Sequence, residues 1–507
     1  MLGPVSGRYA EELVDAGFAV EVADAPLLHD GLNAADLAHL LVLVEQGVVP
    51  ERAVPRLAAV LCEADRTPAG EFGYDPRDGE VYNCREKRFA AAIGRDAGWL
   101  HAGRPRREAV RIALRLRVRR DLCDLVEAAA EFALAGARTA AAHAETLMVD
   151  QTYLQHAQPS TFGHYLLGMV APALREVDRL GADLDGVDRS PAGAGAVNGS
   201  PLTGDRARTA RLLGFADVVE HTRDAMWQSD GFTATVGHAA GLATTLDRLA
   251  EDLEIWSSAE FGWVRLAVGH TRTSILMPQK RNPYALTMVR GEAGVLIGRA
   301  TGMLALAKSP SARSDNLILA YGEVPRALDL ATRATRLMAG VVAELEVDAA
   351  AMEAALRGGF SQAADVAEHL MVTAGLDYRS AYDVVGVAVR RAAEAGLTGA
   401  DLTAAHLTAA AAEAGVDPAE LAAALGARDL SEVVDPARIV RSRTTRGGAA
   451  PDEVRRMAAA CESAAEKARD AVRARRAGFD GAEAELRRRA AALAGPTDDG
   501  DPPRPGR

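Results

Sequence analysis

"EAVRIALRLRVRRDLCDLVEAAAEFALAGARTAAAHAE", residues 108–145, is the stretch that decides how this chain folds. Val110, Leu114, Val118, Leu122, Leu125, Val126 and Ala129 recur at the spacing that lines one face of an α-helix. No proline interrupts the run, and alanine, leucine, arginine and glutamate, all good helix formers, fill most of the rest. Working outward, comparable patterns follow Pro159, run from about residue 222 to 263, follow Pro283 and occupy residues 317–345. Five long helices, each with an apolar stripe to bury, make a bundle, so the expected class is all-α.

Composition agrees: 49% of the 507 residues are hydrophobic yet only 5% are aromatic, which favours helices over sheets. The formal net charge of -12, with both signs mixed along every segment, argues against a nucleic-acid partner and gives no reason to invoke a membrane surface. The most apolar run, "LAHLLVLVEQGVV" (residues 37–49), is broken by Glu45 and falls short of the roughly 20 residues that span a bilayer. Cys62, Cys84, Cys123 and Cys461 lack metal-ligand spacing, and the N-terminal stretch lacks the apolar core of a secretion signal, so a reduced cytoplasm is expected. No metal and no other cofactor is expected either, since neither a His-x-x-x-His nor a Cys-x-x-Cys pattern occurs.

The organisation reads as an N-terminal helical domain over residues 1–105, a central bundle over 106–357 and a C-terminal helical domain over 358–478. Residues 479–507 read as helix and then a disordered tail rich in proline, glycine and aspartate. "SPAGAGAVNGSPLTGD" (residues 190–205) is a glycine-rich loop in which Gly193, Gly195 and Gly199 permit positive φ and close backbone approach, although a plain interhelix connection would look the same.

Three polar stretches could carry chemistry. In "TSILMPQKRNP" (residues 273–283), Asn282 and Pro283 suit a helix start, but that does not account for Ser274 and Lys280 in what reads as a loop. Lysine is scarce here, confined to Lys87, Lys280, Lys308 and Lys467, so an ammonium beside a helix N-terminus could hold a carboxylate. Such a place suits the extra charge that appears when a proton is removed next to that carboxylate, with Ser274 as base if its hydroxyl is held as an oxyanion. "DQTYLQHAQP" (residues 150–159) crowds Thr152, Tyr153, Gln155, His156 and Gln158 before a helix that Pro159 is expected to open. It could bind a carboxylate or donate a proton, or be a polar turn. "HAGRPRREA" (residues 101–109) presents Arg104, Arg106 and Arg107 at a helix start, either as solvated surface or as an anion site.

Taken together these stretches resemble the fumarase/aspartase superfamily and, within it, the argininosuccinate lyases. "SILMPQKRNP" is similar to the family signature Gly-Ser-Ser-x-Met-Pro-x-Lys-x-Asn-Pro, and "LHAGRPR", "TYLQHAQP", "PAGAGAVNGSPL" and "RLAEDLEIWSSAEFGWVRL" follow in family order. The resemblance implies a three-domain all-α fold, a homotetramer built on its long central helices, active sites shared between three subunits, and anti β-elimination that releases fumarate. It implies Ser274 as the catalytic serine, Lys280 and Asn282 as carboxylate stabilisers, Thr152 as a substrate-binding threonine, and Met277 and Gln155 beside the substrate.

The departures are as specific. Tyr153 stands at the family histidine, and a phenol, with an ordinary pKa of about 10, shuttles protons poorly near neutrality. Arg107 and Glu108 stand at Asn-Asp, Tyr82 at another histidine, Ile275 at the second signature serine and Thr273 at the glycine before it. Arg313, Ile318 and Tyr321 replace the tyrosine, glutamine and lysine that hold the rest of argininosuccinate. The expected substrate is therefore a small anionic carboxylate of the N-substituted aspartate type with a different leaving group, with Arg313 and Tyr321 near it. The alternatives are an inert structural or regulatory relative, or a cycloisomerase of the same superfamily.

Overall fold

Ahead of the bundle lie α1 (Ala25–Glu45), α2 (Val54–Arg66) and α3 (Val81–Ile93). The bundle comprises α4 (Arg106–Ala142), a hairpin of β1 (Leu147–Thr152) and β2 (Gln155–Thr161), then α5 (Phe162–Val187) and α6 (Asp230–Trp256). A second, very short hairpin of β3 (Arg272–Thr273) and β4 (Arg281–Asn282) leads into α7 (Tyr284–Ala307), followed by α8 (Ala320–Ala343) and α9 (Ala349–Arg357). The chain continues through α10 (Ala363–Ala374) and α11 (Tyr378–Glu394) and ends on α12 (Pro451–Ala494). This computed structural model describes residues 9–309, 315–426 and 430–495; the expected disordered tail from Pro496 onward lies outside them.

The five long helices expected from the sequence are present in α4 to α8, with shifted ends. Alanine sets their spacing: Ala128, Ala129, Ala130, Ala133 and Ala140 of α4 are all fully buried. At Gly136 a Cβ would come within 2.4 Å of Val170 on α5, so only glycine lets these two helices approach so closely. The helix expected over 222–263 is two pieces, Thr222–Trp227 and α6, because Gln228 and Ser229 leave the helical path. Likewise the pattern over 317–345 resolves into Asp315–Ile318 and α8.

Pro159 does not open a helix. It sits inside β2 opposite Val149, and α5 starts at Phe162, where the Thr161 side chain accepts from the His164 amide. The C-terminal region, read as shorter helices, ends in the 44-residue α12, which runs unbroken through the boundary expected at 478/479. Its buried residues Ala458, Val472, Phe479 and Leu486, with Ala465, recur every seven positions. That stripe is too narrow to stand out against so charged a sequence. It packs along α4, flanked by Arg473 and Arg476 on Glu127 (2.6 and 2.7 Å) and Arg120 on Asp480 (2.7 Å).

Among the described residues the buried apolar side chains form three clusters, the smallest of them Ala194, Val219, Ala225 and Met226. The largest joins α1 to α9 with α12, and a smaller one gathers Val366, Leu370, Val384, Leu407, Leu421 and Leu425. Helix α1, at 21 residues, is longer than its sequence pattern suggested and is apolar enough to cross a membrane by length and composition. Its apolar window is 78% buried against the rest of the chain, which accounts for the hydrophobicity.

Candidate functional site

The β3–β4 hairpin gathers one set of candidate groups. Arg272 pairs with Asn282 and Thr273 with Arg281. Within the tip the Ser274 amide donates to the Lys280 carbonyl (3.2 Å) and the Lys280 amide to the Met277 carbonyl (3.0 Å). The Met277 amide in turn donates to Ser274 Oγ at 3.0 Å. Ser274, Met277 and Lys280 therefore share one compact loop, and the serine oxygen already receives a backbone donor. Asn282 does not cap α7: its side-chain amide donates to the Arg272 carbonyl (3.1 Å) and Pro283 takes the cap position. The tip also carries Ile275 and Leu276, 102% and 85% exposed, an apolar pair on an otherwise polar loop.

The β1–β2 hairpin presents the second set. Thr152 faces Gln155 across a two-residue turn formed by Tyr153 (φ 55°) and Leu154 (φ 57°). Two consecutive positive φ values define a type I′ turn, which ordinarily selects Asn-Gly because bulky side chains are strained there. The anchor is below, where Met148 and Val149 are buried. At the tip of this turn the Tyr153 ring stands 99% exposed. What read as an interhelix turn is a strand pair.

The third set surrounds the start of α4, and here two of the expected groups have partners inside the fold. Arg104 is buried and donates to Asp36 (2.5 Å), the Tyr82 hydroxyl (2.5 Å) and the Ala35 carbonyl (2.9 Å). Burial opposes ionisation of Asp36, yet Arg85 and Arg104 hold its carboxyl below the usual range. Arg104 is therefore engaged within the framework of the fold. Tyr321, also buried, accepts a hydrogen bond from Arg111 (2.5 Å) and packs against that guanidinium. Its hydroxyl is occupied inside the bundle. Arg106 is exposed and bonds to Asn83 and pairs with Glu80 (3.4 Å). Arg107 donates to Glu21 at 2.9 Å and lies 3.9 Å from Glu80. Although burial works against its charge, nearby Tyr321, Glu80 and Glu21 raise its pKa and keep it cationic. Arg313 lies outside the described residues.

Sequence reading missed three carboxylates. Glu21 and Glu80 reach Arg107 from far along the chain, and no local pattern announces such contacts. Glu108 was noted only as a departure, but its two oxygens accept from the Gly193 and Gly195 amides (2.8 and 2.7 Å), tying the glycine-rich loop to the first turn of α4. Burial pushes this carboxyl up to about 7, outweighing the two amides and the facing Arg104 and Arg206. Spacing could not reveal the pairing, but a buried acid next to a glycine-rich loop is a recognisable nest.

Among the described residues, no hydrogen bond or ion pair joins the 272–282 hairpin to the 147–161 hairpin or to the start of α4. Comparison with known proteins bears on this. Residues 77–298 match the lyase family and residues 360–441 the argininosuccinate lyase C-terminal family. The argininosuccinate lyase of Halobacterium salinarum is 36% identical over 440 residues, covering 87% of this chain and 86% of that protein. Argininosuccinate lyase 1 of Mesorhizobium japonicum is 34% identical, covering 83% and 88%. A variant of EDDS lyase with bound fumarate superposes with a TM-score of 0.83 at 25% identity, over 96% of this chain and 97% of that one. The 3-carboxy-cis,cis-muconate lactonizing enzyme from Pseudomonas putida shares the fold, with a TM-score of 0.68 at 22% identity over 90% and 99%.

Proposed function

This chain belongs to the argininosuccinate lyase family of the fumarase/aspartase superfamily, and from that premise we propose that it cleaves an N-substituted aspartate by anti β-elimination, releasing fumarate and an amine. The observation that carries the reading is the 274–280 tip: a serine oxygen receiving the Met277 amide, on the same loop as Lys280. An amide donor at Oγ stabilises negative charge there, which is what a serine needs to act as a base.

In the proposed reaction Ser274 takes the proton from the carbon beside the carboxylate, and the electron pair moves onto that carboxylate. Lys280 and Asn282 stabilise the resulting dianion. The pair then returns to form the carbon–carbon double bond as the C–N bond breaks, and the nitrogen, already protonated in the substrate, leaves with the electrons of that bond as a neutral amine. Thr152 and Gln155 hold the substrate, with Arg106 and Arg107 as cations for its carboxylates. Tyr153 stands where the family has a histidine, so the leaving group is expected to need little protonation.

That no hydrogen bond or ion pair among the described residues links the 272–282 hairpin to the other two sets supports a site completed by other copies of the chain in a homotetramer. Helix α7 supports the same association: Met288, Val295, Ile297 and Leu304 are exposed, and at Gly291, Gly294, Gly298 and Gly302 an added Cβ would meet nothing within 4 Å. A panel of N-substituted aspartates, followed by fumarate formation, tests the reading. Turnover lost in Ser274→Ala is the expected result, and mixing Ser274→Ala with Thr152→Ala subunits should restore part of it. Turnover that persists in Ser274→Ala, or an absence of fumarate from every member of the panel, would refute it.

A further inference from the structure

Arg107, read as a substrate cation, already holds a carboxylate. Its guanidinium donates to Glu21 at 2.9 Å, while Glu80 stands at 3.9 Å. These groups line a cavity of about 300 Å³ that is closed on one side by Tyr9 and Phe18, whose rings meet edge-on at 4.7 Å. The volume suits a small ligand.

The two carboxylates are held very differently. Glu80 is buried at the cap of α3, and burial raises its pKa, so it belongs to the rigid frame. Glu21 belongs to the segment from Tyr9 to Ala23, in which no side chain is buried and the helix includes a π-type turn at Val14–Phe18. Val22 alone of this segment packs, partly buried, against the main core, and a segment with so few buried apolar contacts opens at low free-energy cost. Glu21 is the partner of Arg107 that can leave.

We infer that Glu21 is an affinity-determining residue, an internal carboxylate that occupies Arg107 until a carboxylate of the ligand displaces it. The inference rests on the reading of Arg107 as a substrate-binding cation. Two carboxylates cannot share one edge of a guanidinium without repulsion, so a ligand binds only the fraction of molecules in which Glu21 has moved away, and its apparent affinity is reduced by that fraction. Removing the charge at Glu21 should therefore tighten binding, whereas loss of a merely structural contact would weaken it or leave it unchanged.

Succinate, a dicarboxylate that cannot undergo the elimination, is the probe, and isothermal titration of the full-length protein is the measurement. Glu21→Gln is expected to bind succinate roughly fivefold more tightly than the parent, the scale of one partly exposed ion pair. Glu12→Gln, which removes the same charge from the same segment away from the cavity, should leave affinity unchanged, and Arg107→Met should lose it. If Arg107→Met loses succinate but Glu21→Gln binds no more tightly than the parent, the inference is overturned while the reading of Arg107 stands. If Arg107→Met binds succinate as the parent does, or neither parent nor Glu21→Gln binds it, both are overturned. Equal tightening in Glu12→Gln would reduce the effect to general charge and overturn the inference as well.

Discussion

Glu108 offers a test with a worked sign and size. Its carboxyl has an ordinary value of 4.5 and is pushed up to about 7 in the folded chain, chiefly by burial. The native state therefore binds a proton that the unfolded state releases, and that contribution to stability is fully present below about 4.5 and is lost as pH rises through about 7. The interval corresponds to about 3 kcal/mol at full effect. Glu108→Gln is neutral throughout. Its single amide oxygen can serve one of the Gly193 and Gly195 donors, and the cost of the other is independent of pH. Urea unfolding of parent and variant side by side, from about pH 8 to about pH 4.5, isolates the titration because the other groups are common to both. The parent should gain on the variant by about 3 kcal/mol as pH falls. A difference that stays flat, or that grows in the opposite direction, would refute the argument that burial outweighs the two amides.

Three further outcomes follow from described contacts. Asp36→Ala strands the buried guanidinium groups of Arg85 and Arg104 and should lower the unfolding free energy by about 3–5 kcal/mol, read from denaturant curves. Gly195→Ala forces a side chain into a backbone at φ 61° and to 2.6 Å from the Gly199 carbonyl, so a loss of about 1–3 kcal/mol and faster amide exchange across residues 190–204 are expected. Replacing Tyr153 with Asn and Leu154 with Gly gives the type I′ turn its preferred residues and should stabilise the β1–β2 hairpin by about 1–2 kcal/mol. If Tyr153 acts on substrate, the same double change should reduce turnover.

How legible all this was in the sequence depended on the width of each signal. The α4 pattern could be read because its apolar face is broad and alanine-rich, so periodicity survives any single mismatch. In α12, between Ala458 and Leu486, a buried residue returns only every seventh position among arginines and glutamates, and local hydrophobicity stays too low to mark a helix of that length. Pro159 misled because proline preceding a helical pattern usually marks its first turn, whereas here the ring fits within a strand opposite Val149. The 274–282 loop could be picked out because its unusual residues are contiguous. The partners of Arg104, Arg107 and Glu108 could not: Asp36, Glu21 and the loop glycines come from sequence separations of 68, 86 and 85–87 residues, and burial alone brings them together.

The terminal helix α12 has one more implication. The chain reaches it through the exposed stretch Thr444–Gly447, after the smaller core is complete, and the helix then lies back over α4 and α2 with Phe479 and Leu486 inserted among them. All the candidate groups of both hairpins and of the α4 start lie before that stretch. The helix thus acts as a splint: cut at the connection, the two fragments would separate it from every candidate group, and adding the second back as a peptide would titrate rigidity into the first.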